Sequence, residues 1–160
     1  MSIENYKPDF LLTAAYRLNA ESLKRHGIRA GLVDLDNTLT AWNNPDGTPE
    51  MRSWLAEMKA TNIKVIVVSN NNHDRVKRAV ERFDVPFVSR AMKPFDMGIK
   101  KALAVLGEKP EDAVMVGDQL MTDIRAAKRA GVRSVLVQPL VTSDAWNTKF
   151  NRARERRVWR

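Results

Sequence analysis

Short apolar runs rich in β-branched residues alternate with amphipathic helical segments, and this alternation constrains the fold more than any other feature of the chain. Five such runs predict five strands, at residues 28–35, 63–68, 86–88, 113–116 and 134–137. Thr48 and Asn72 are suited to begin two of the intervening helices, and Gly107 and Gly131 to end two others. Continuous apolar strands separated by helices are typical of a parallel sheet covered on both faces. The sequence therefore predicts an α/β fold with a five-stranded parallel sheet.

Composition narrows the class of protein. The 160 residues are 44% hydrophobic and 29% charged, which is typical of a globular chain of about one domain. Cysteine is absent and there are two histidines, which excludes thiolate zinc sites, cysteine nucleophiles and histidine-rich metal sites. No apolar run approaches the roughly 20 residues that span a bilayer, and no signal-peptide pattern opens the chain. We therefore expect a cytoplasmic protein.

The chain is expected to form one domain over residues 1–160, with a core at about 28–138, an N-terminal segment at 1–27 and a basic tail at 149–160. The tail carries six basic residues and one acid, in a chain whose net charge is +8. It has three interpretations: a solvated helix end, a contact with anionic lipid on the inner face of the cell membrane, or a nucleic-acid contact. No recognised nucleic-acid-binding motif accompanies the tail. The apolar cluster at 6–18 either covers the sheet or rests on a membrane.

Polar residues follow the predicted strands, and ligands of parallel sheets bind in the crevice beyond the carboxyl ends of the strands. Asp34 and Asp36 point the same way if the segment is extended. The candidates are Asp34, Asp36, Ser69, Asn70, Lys93, Asp118 and Asp123. Crowded carboxylates repel one another unless they share a cation, and oxygen ligands with a phosphate suit Mg²⁺. Lysine and a hydroxyl suit a phosphoryl group, and Asp can form an aspartyl-phosphate.

At these residues the chain resembles the haloacid dehalogenase (HAD) superfamily of phosphotransferases. All four of its motifs are present in order, as DLDNT at 34–38, Ser69 in VVSNN, Lys93 in MKP and GDQLMTD at 117–123. More narrowly, VDLDNTLTAW, VVSNNN and the terminal FNRARERR resemble the YqeG-type group of phosphatases, which is similar to mitochondrial phosphatidylglycerophosphate phosphatases. The resemblance implies a Rossmann-like α/β fold with helices on both faces of the sheet.

The resemblance also implies catalytic and metal-binding roles. Asp34 would be the nucleophile, and Asp36 would protonate the leaving alkoxide and then activate water. Mg²⁺ would be held by Asp34, Asp118 and the backbone carbonyl of Asp36. Asp123 would support the metal shell or hold Lys93.

Substrate-binding roles follow from the same resemblance. Ser69 and Lys93 would bind the oxygens of the transferring phosphoryl group, and Asn70 either contacts the phosphate through its backbone N–H or only shapes a turn. About ten residues, 40–49, separate the first motif from the next helix, which leaves no room for a cap domain. We therefore expect an open crevice under a short flap that contains Trp42.

These inferences predict a Mg²⁺-dependent phosphomonoesterase that acts through an aspartyl-phosphate, with phosphatidylglycerophosphate as the substrate suggested by the resemblance. One alternative is a phosphatase of soluble sugar or nucleotide phosphates, whose pocket a homo-oligomer completes. Another is a non-catalytic scaffold that binds nucleic acid or ribosomal partners through the tail. The intact set of motif residues argues against the scaffold.

Overall fold

A computed structural model describes residues 7–40 and 46–140 and contains one sheet of six parallel strands, in the order β1–β6–β5–β2–β3–β4. The strands are β1 (Phe10–Leu12), β2 (Ala30–Val33), β3 (Lys64–Val68), β4 (Phe87–Val88), β5 (Ala113–Gly117) and β6 (Arg133–Val137). The helices are α1 (Ala20–Arg25), α2 (Pro49–Ala60), α3 (His73–Val80), α4 (Met97–Leu106) and α5 (Arg125–Ala130). The predicted α/β fold with a parallel sheet is confirmed.

The sheet has six strands, so the prediction of five was wrong by one edge strand. β1 pairs with β6, with Phe10 opposite Val135, and the Asp9 backbone N–H donates to the Ser134 carbonyl at 3.1 Å. Part of the 6–18 cluster thus extends the sheet at its edge, which neither sequence interpretation anticipated. A three-residue strand has no detectable period of its own, and its partner lies more than 120 positions further along the chain.

The predicted helix boundaries are set by local chemistry. The Thr48 hydroxyl accepts a hydrogen bond from the Met51 backbone N–H at 3.2 Å, with proline in the first turn, and Asn72 Oδ1 accepts from the Arg75 N–H at 3.0 Å. These bonds satisfy backbone donors that a helix start leaves unpaired. Gly107 and Gly131 end α4 and α5 in the left-handed region, as predicted.

Helices cover both faces of the sheet. Along β2 the side chains alternate, with Val33 in the core beneath α1, α2 and α3 and Leu32 in the core beneath α4 and α5. On the first face Trp54 is buried, and its indole N–H donates to the Leu18 carbonyl at 2.8 Å. Burial on both faces explains why the central strands are continuous apolar runs.

The candidate site lies where the strand order reverses. β2 pairs with β3 on one side and with β5 on the other, and the chain leaves its carboxyl end at Asp34. Open α/β sheets bind their ligands at such a switch point. Within the described residues, no helix is both long and apolar enough to cross a membrane.

Candidate active site

The segment after β2 presents Asp34 at the edge of the sheet. The Asp34 backbone N–H still donates to the Val116 carbonyl of β5 at 2.9 Å, which fixes its position, and its side chain is 13% exposed. The chain then turns tightly, because the backbone N–H groups of Leu39 and Thr40 both donate to the Leu35 carbonyl. This turn directly follows Asp34 and contains Asp36, the second aspartate of the first motif.

Lys93 is buried at the centre of the site. Its ammonium donates to Asp34 Oδ1 at 2.8 Å, to Asp123 Oδ1 at 2.6 Å and to the Val68 carbonyl at 2.8 Å. Burial by itself lowers the pKa of this lysine, but the carboxylates of Asp123 and Asp34 outweigh it and raise the pKa to about 12. Lys93 is therefore a permanent cation whose three protons already have acceptors.

Asp123 reaches the site because residue 117 has no side chain. A Cβ on Gly117 would lie 2.2 Å from Asp123 Oδ2, so any larger residue would displace this carboxylate. Asp123 Oδ2 accepts from the Gln119 backbone N–H at 3.2 Å, while Oδ1 accepts from Lys93. Both oxygens of Asp123 thus have protein partners, which supports the interpretation that this residue holds Lys93.

Three carboxylates are close enough to share a cation. Oxygens of Asp34, Asp118 and Asp123 all lie within 4.8 Å of one another. Burial raises the pKa of Asp34 to about 6, with the Asp123 charge adding to the effect and Lys93 opposing it. Burial likewise raises the pKa of Asp118 to about 7, with the charges of Asp123 and Asp34 contributing. Because one buried lysine faces three carboxylates, the cluster has an excess of negative charge.

This donor set fits the predicted Mg²⁺. A hard cation prefers carboxylate oxygens, and its charge would relieve the repulsion that raises both pKa values. Asp118 is buried, and the buried Thr38 hydroxyl donates to its Oδ1 at 3.3 Å, which orients the carboxylate. Asp34 and Asp118 are the better ligand candidates, because Asp123 already has partners for both oxygens.

The environment of Asp36 differs from that of Asp34. Its side chain is 47% exposed, and it accepts a hydrogen bond from the Arg75 guanidinium at Oδ1, at 2.7 Å. The Asn71 side-chain amide donates to Oδ2. The structure thus separates two kinds of carboxylate. Asp34 is mostly shielded from solvent, with 13% of its side chain exposed, and it pairs with Lys93. Asp36 is much more exposed, and it is held by one residue of α3 and one residue of the loop before it.

Ser69 and Asn70 follow β3, as the motif pattern predicts. The buried Ser69 hydroxyl accepts from the Asn71 backbone N–H at 3.1 Å. The Asn70 side chain forms two bonds with the backbone of Lys93: its amide donates to the carbonyl and its Oδ1 accepts from the N–H, both at 2.8 Å. Asn70 therefore positions the lysine segment, a role that the sequence interpretation did not include.

The structure brings Asp34, Asp118, Asp123 and Lys93 into one cluster, with Asn70 joined to it through the backbone of Lys93. Sequence reasoning missed Arg75 as a site residue. A signal was present, since Arg75 stands three residues after the predicted N-cap Asn72, and the first turn of a helix that follows a strand lies at the catalytic edge. The predicted flap around Trp42 and the tail at 149–160 lie outside the described residues.

Comparison with known proteins identifies the fold and the family together. The model of the haloacid dehalogenase-like hydrolase family matches residues 2–131. The chain belongs to this family. The structure of NagD from E. coli K-12 superposes with a TM-score of 0.61 at 14% identity, covering 76% of this chain and 92% of NagD, which confirms the shared HAD fold.

Two relatives named as phosphatases bear on the enzyme class. The chain is 40% identical over 153 residues to the probable phosphatase YqeG of Bacillus subtilis, covering 96% of this chain and 89% of that protein. It is 31% identical over 98 residues to phosphoserine phosphatase of Thermus thermophilus, covering 56% of this chain and 39% of the relative. The predicted class, an HAD-type phosphatase, is confirmed.

Proposed function

We propose that this HAD phosphatase hydrolyses phosphomonoesters through an aspartyl-phosphate on Asp34, with Mg²⁺ as its cofactor and phosphatidylglycerophosphate as its substrate. The observation that carries the proposal is the contrast between the two motif aspartates. The Asp34 side chain is 13% exposed, lies beside Asp118 and is oriented by Lys93, whereas the Asp36 side chain is 47% exposed. A nucleophile needs a fixed position, and a proton carrier needs access to the leaving group and to water.

In the first step an Asp34 carboxylate oxygen attacks the phosphorus, and the bond from phosphorus to the leaving alkoxide breaks. Asp36 in its protonated form gives its proton to that alkoxide. In the second step the Asp36 carboxylate takes a proton from water, the water oxygen attacks the phosphorus, and the bond to Asp34 breaks to release inorganic phosphate. Mg²⁺, held by Asp34, Asp118 and the Asp36 carbonyl, would neutralise the charge that gathers on the phosphoryl oxygens.

Lys93 and Ser69 have different roles in the transfer of the phosphoryl group. The Lys93 ammonium already donates to Asp34, Asp123 and Val68, so its part is to orient Asp34 and to balance the carboxylates. A phosphoryl oxygen that binds Lys93 must take the place of one of these acceptors. The Ser69 hydroxyl accepts one bond and has a proton to donate to a phosphoryl oxygen. The Asn70 backbone N–H is a further proposed phosphate donor.

The choice of a lipid substrate is supported by the sequence resemblance to phosphatidylglycerophosphate phosphatases and by the openness of the crevice. Only residues 34–48 connect β2 to α2, and no further domain covers the site within the described residues. A phosphate at the surface of a membrane could approach such a site directly. The small-molecule phosphatases among the relatives favour a second candidate, a soluble phosphomonoester such as a phosphorylated amino acid or sugar.

The test is a Mg²⁺-dependent hydrolysis assay with three kinds of substrate: a generic aryl phosphate, phosphatidylglycerophosphate in detergent micelles, and a set of soluble esters that contains phosphoserine, sugar phosphates and nucleotide phosphates. We expect turnover of the aryl phosphate that EDTA abolishes, and a higher kcat/KM for the lipid than for any soluble ester. A higher kcat/KM for a soluble ester would support the second candidate. Absence of turnover on all three would favour the scaffold, and the Asp34→Asn variant controls for contaminating phosphatase.

A further inference from the structure

Apolar side chains are exposed beside the catalytic cluster. Among the described residues, Met92, Phe95, Met97 and Met121 are 53–58% exposed. We call these four residues the apolar rim. Several large apolar side chains exposed at one edge of a globular protein indicate an interaction surface. The other large exposed apolar residues of the described part, Phe10 and Val105, lie in β1 and near the end of α4.

The rim belongs to the two chain segments that meet at the buried ion pair. Met92 directly precedes Lys93, and the Phe95 backbone N–H donates to the Met92 carbonyl at 2.9 Å, which holds this segment in a tight turn. Met121 lies in the helical turn Leu120–Ile124, which carries Asp123. Because Lys93 binds Asp123 at 2.6 Å, both segments border the same crevice.

Positive charge accompanies the rim. Besides Lys93 and Asp123, the segments at 89–106 and 120–130 contain one acid, Asp96, which pairs with Lys100 at 3.0 Å. The cations of these segments are Arg90, Lys100, Lys101, Arg125, Lys128 and Arg129. The guanidinium of Arg129 lies 5.3 Å from the centre of the Phe95 ring. The rim therefore lies in segments rich in cations, and one of these cations, Arg129, is in contact with the ring of Phe95.

We propose that the apolar rim is a docking surface for an anionic lipid bilayer, so that the catalytic edge of the sheet faces the headgroups. Aromatic and aliphatic side chains enter the boundary between headgroups and acyl chains, while Arg and Lys bind anionic headgroups. Two copies that met through this surface would bring like charges together, which disfavours self-association. The inference rests on the proposed activity toward a lipid-borne phosphomonoester, because docking brings the crevice to substrates held in the same surface.

The test compares the full-length wild type with a variant that carries Phe95→Gln, Met97→Gln and Met121→Gln. The matched control is Val105→Gln, which removes an apolar side chain of similar exposure (57%) at the other end of α4. Co-sedimentation is measured with vesicles of phosphatidylcholine alone and with added phosphatidylglycerol, at low and high salt. We expect the triple variant to bind anionic vesicles about tenfold or more weakly than the wild type, and the control to bind like the wild type.

Thermal melting checks that each variant is folded, and sedimentation velocity measures the oligomeric state. Docking through the rim is overturned if the wild type ignores anionic vesicles at low salt, or if the triple variant binds them as the wild type does. It is also overturned if the triple mutation converts a wild-type dimer to a monomer without weakening vesicle binding, because the rim would then contact a second copy.

Hydrolysis separates this inference from the proposed function. The rim variant should lose more activity on phosphatidylglycerophosphate in vesicles than on a soluble aryl phosphate. If the wild type docks through the rim but fails to hydrolyse the lipid phosphate even in micelles, the docking surface stands and the proposed substrate is wrong. If it hydrolyses the lipid in micelles and does not bind vesicles, the substrate stands and the docking surface is wrong.

Discussion

Replacing Asp118 with Asn should stabilise the metal-free protein at neutral and alkaline pH. Burial, reinforced by the charges of Asp123 and Asp34, raises the pKa of Asp118 from 3.8 to about 7. One pKa unit corresponds to about 1.36 kcal/mol, so this shift of about three units opposes folding by up to about 4 kcal/mol once the unfolded chain is ionised. Asn retains the carbonyl oxygen that accepts from Thr38, so the hydrogen bond at 3.3 Å can persist.

The direction of the pH dependence follows from the raised pKa. Below about pH 4 Asp118 is protonated in both states and contributes nothing. Between about pH 4 and pH 7 the unfolded chain loses this proton while the folded protein keeps it, so the free energy of unfolding falls as pH rises. Above about pH 7 Asp118 is ionised in both states, and the free energy of unfolding falls no further on its account. Asn does not ionise, so the free energy of unfolding of the variant lacks the pH dependence that Asp118 causes. It keeps the smaller pH dependence due to Asp34, whose pKa is about 6.

Urea denaturation in EDTA from pH 5 to pH 9 measures the effect, with Glu57→Gln as a control that removes an exposed acid of α2. We expect the difference in unfolding free energy between the Asp118→Asn variant and the wild type to grow with pH and to level off near pH 8. Added Mg²⁺ should stabilise the wild type and have little effect on the variant. A variant that is less stable than wild type at pH 8 without metal, or that has the same pH slope, would refute this reasoning.

Four further predictions concern the site and the tail. Asp34→Asn should abolish hydrolysis while the melting temperature is kept or raised, because the amide cannot form an acyl-phosphate; turnover near that of the wild type would remove Asp34 as nucleophile. Asp36→Asn should slow hydrolysis by about 10²–10⁴-fold and keep Mg²⁺ affinity in a titration, since its carbonyl is the proposed ligand. Arg75→Met should lower kcat about ten- to hundredfold by releasing the Asp36 carboxylate, with Arg75→Lys retaining more activity; unchanged kcat would show that Asp36 needs no such support. Replacing four tail arginines with Gln should weaken binding to anionic vesicles at low salt and should change aryl phosphate hydrolysis little. These residues are Arg152, Arg154, Arg156 and Arg157. Lost hydrolysis would show that the tail belongs to the fold or to the active site.

The strands β2 to β6 and the helices α2 to α5 could be predicted because their signals are local, whereas α1 was not predicted. Apolar runs such as 63–68 predict buried strands, and caps such as Thr48, Asn72 and Gly107 satisfy backbone groups within the same turn. The edge strand β1 could not be predicted in this way. Its three residues are stabilised by pairing with β6, and the bonds between Asp9 and Ser134 join positions that are far apart in the sequence.

The sequence determined by itself which residue types stand at the strand ends, and therefore the chemistry that the site can perform. Two aspartates spaced by one residue, a lysine before a proline and an acidic turn after β5 are visible without any structure. Only the tertiary structure determined which of these groups contact one another, and therefore the role of each. It paired Lys93 with Asp123, used Asn70 to hold the lysine segment and brought Arg75 to Asp36. Such pairings depend on distances between strand ends, which are set by packing across the sheet. The sequence places Arg75 in the first turn of a helix, but it does not identify Asp36 as its partner.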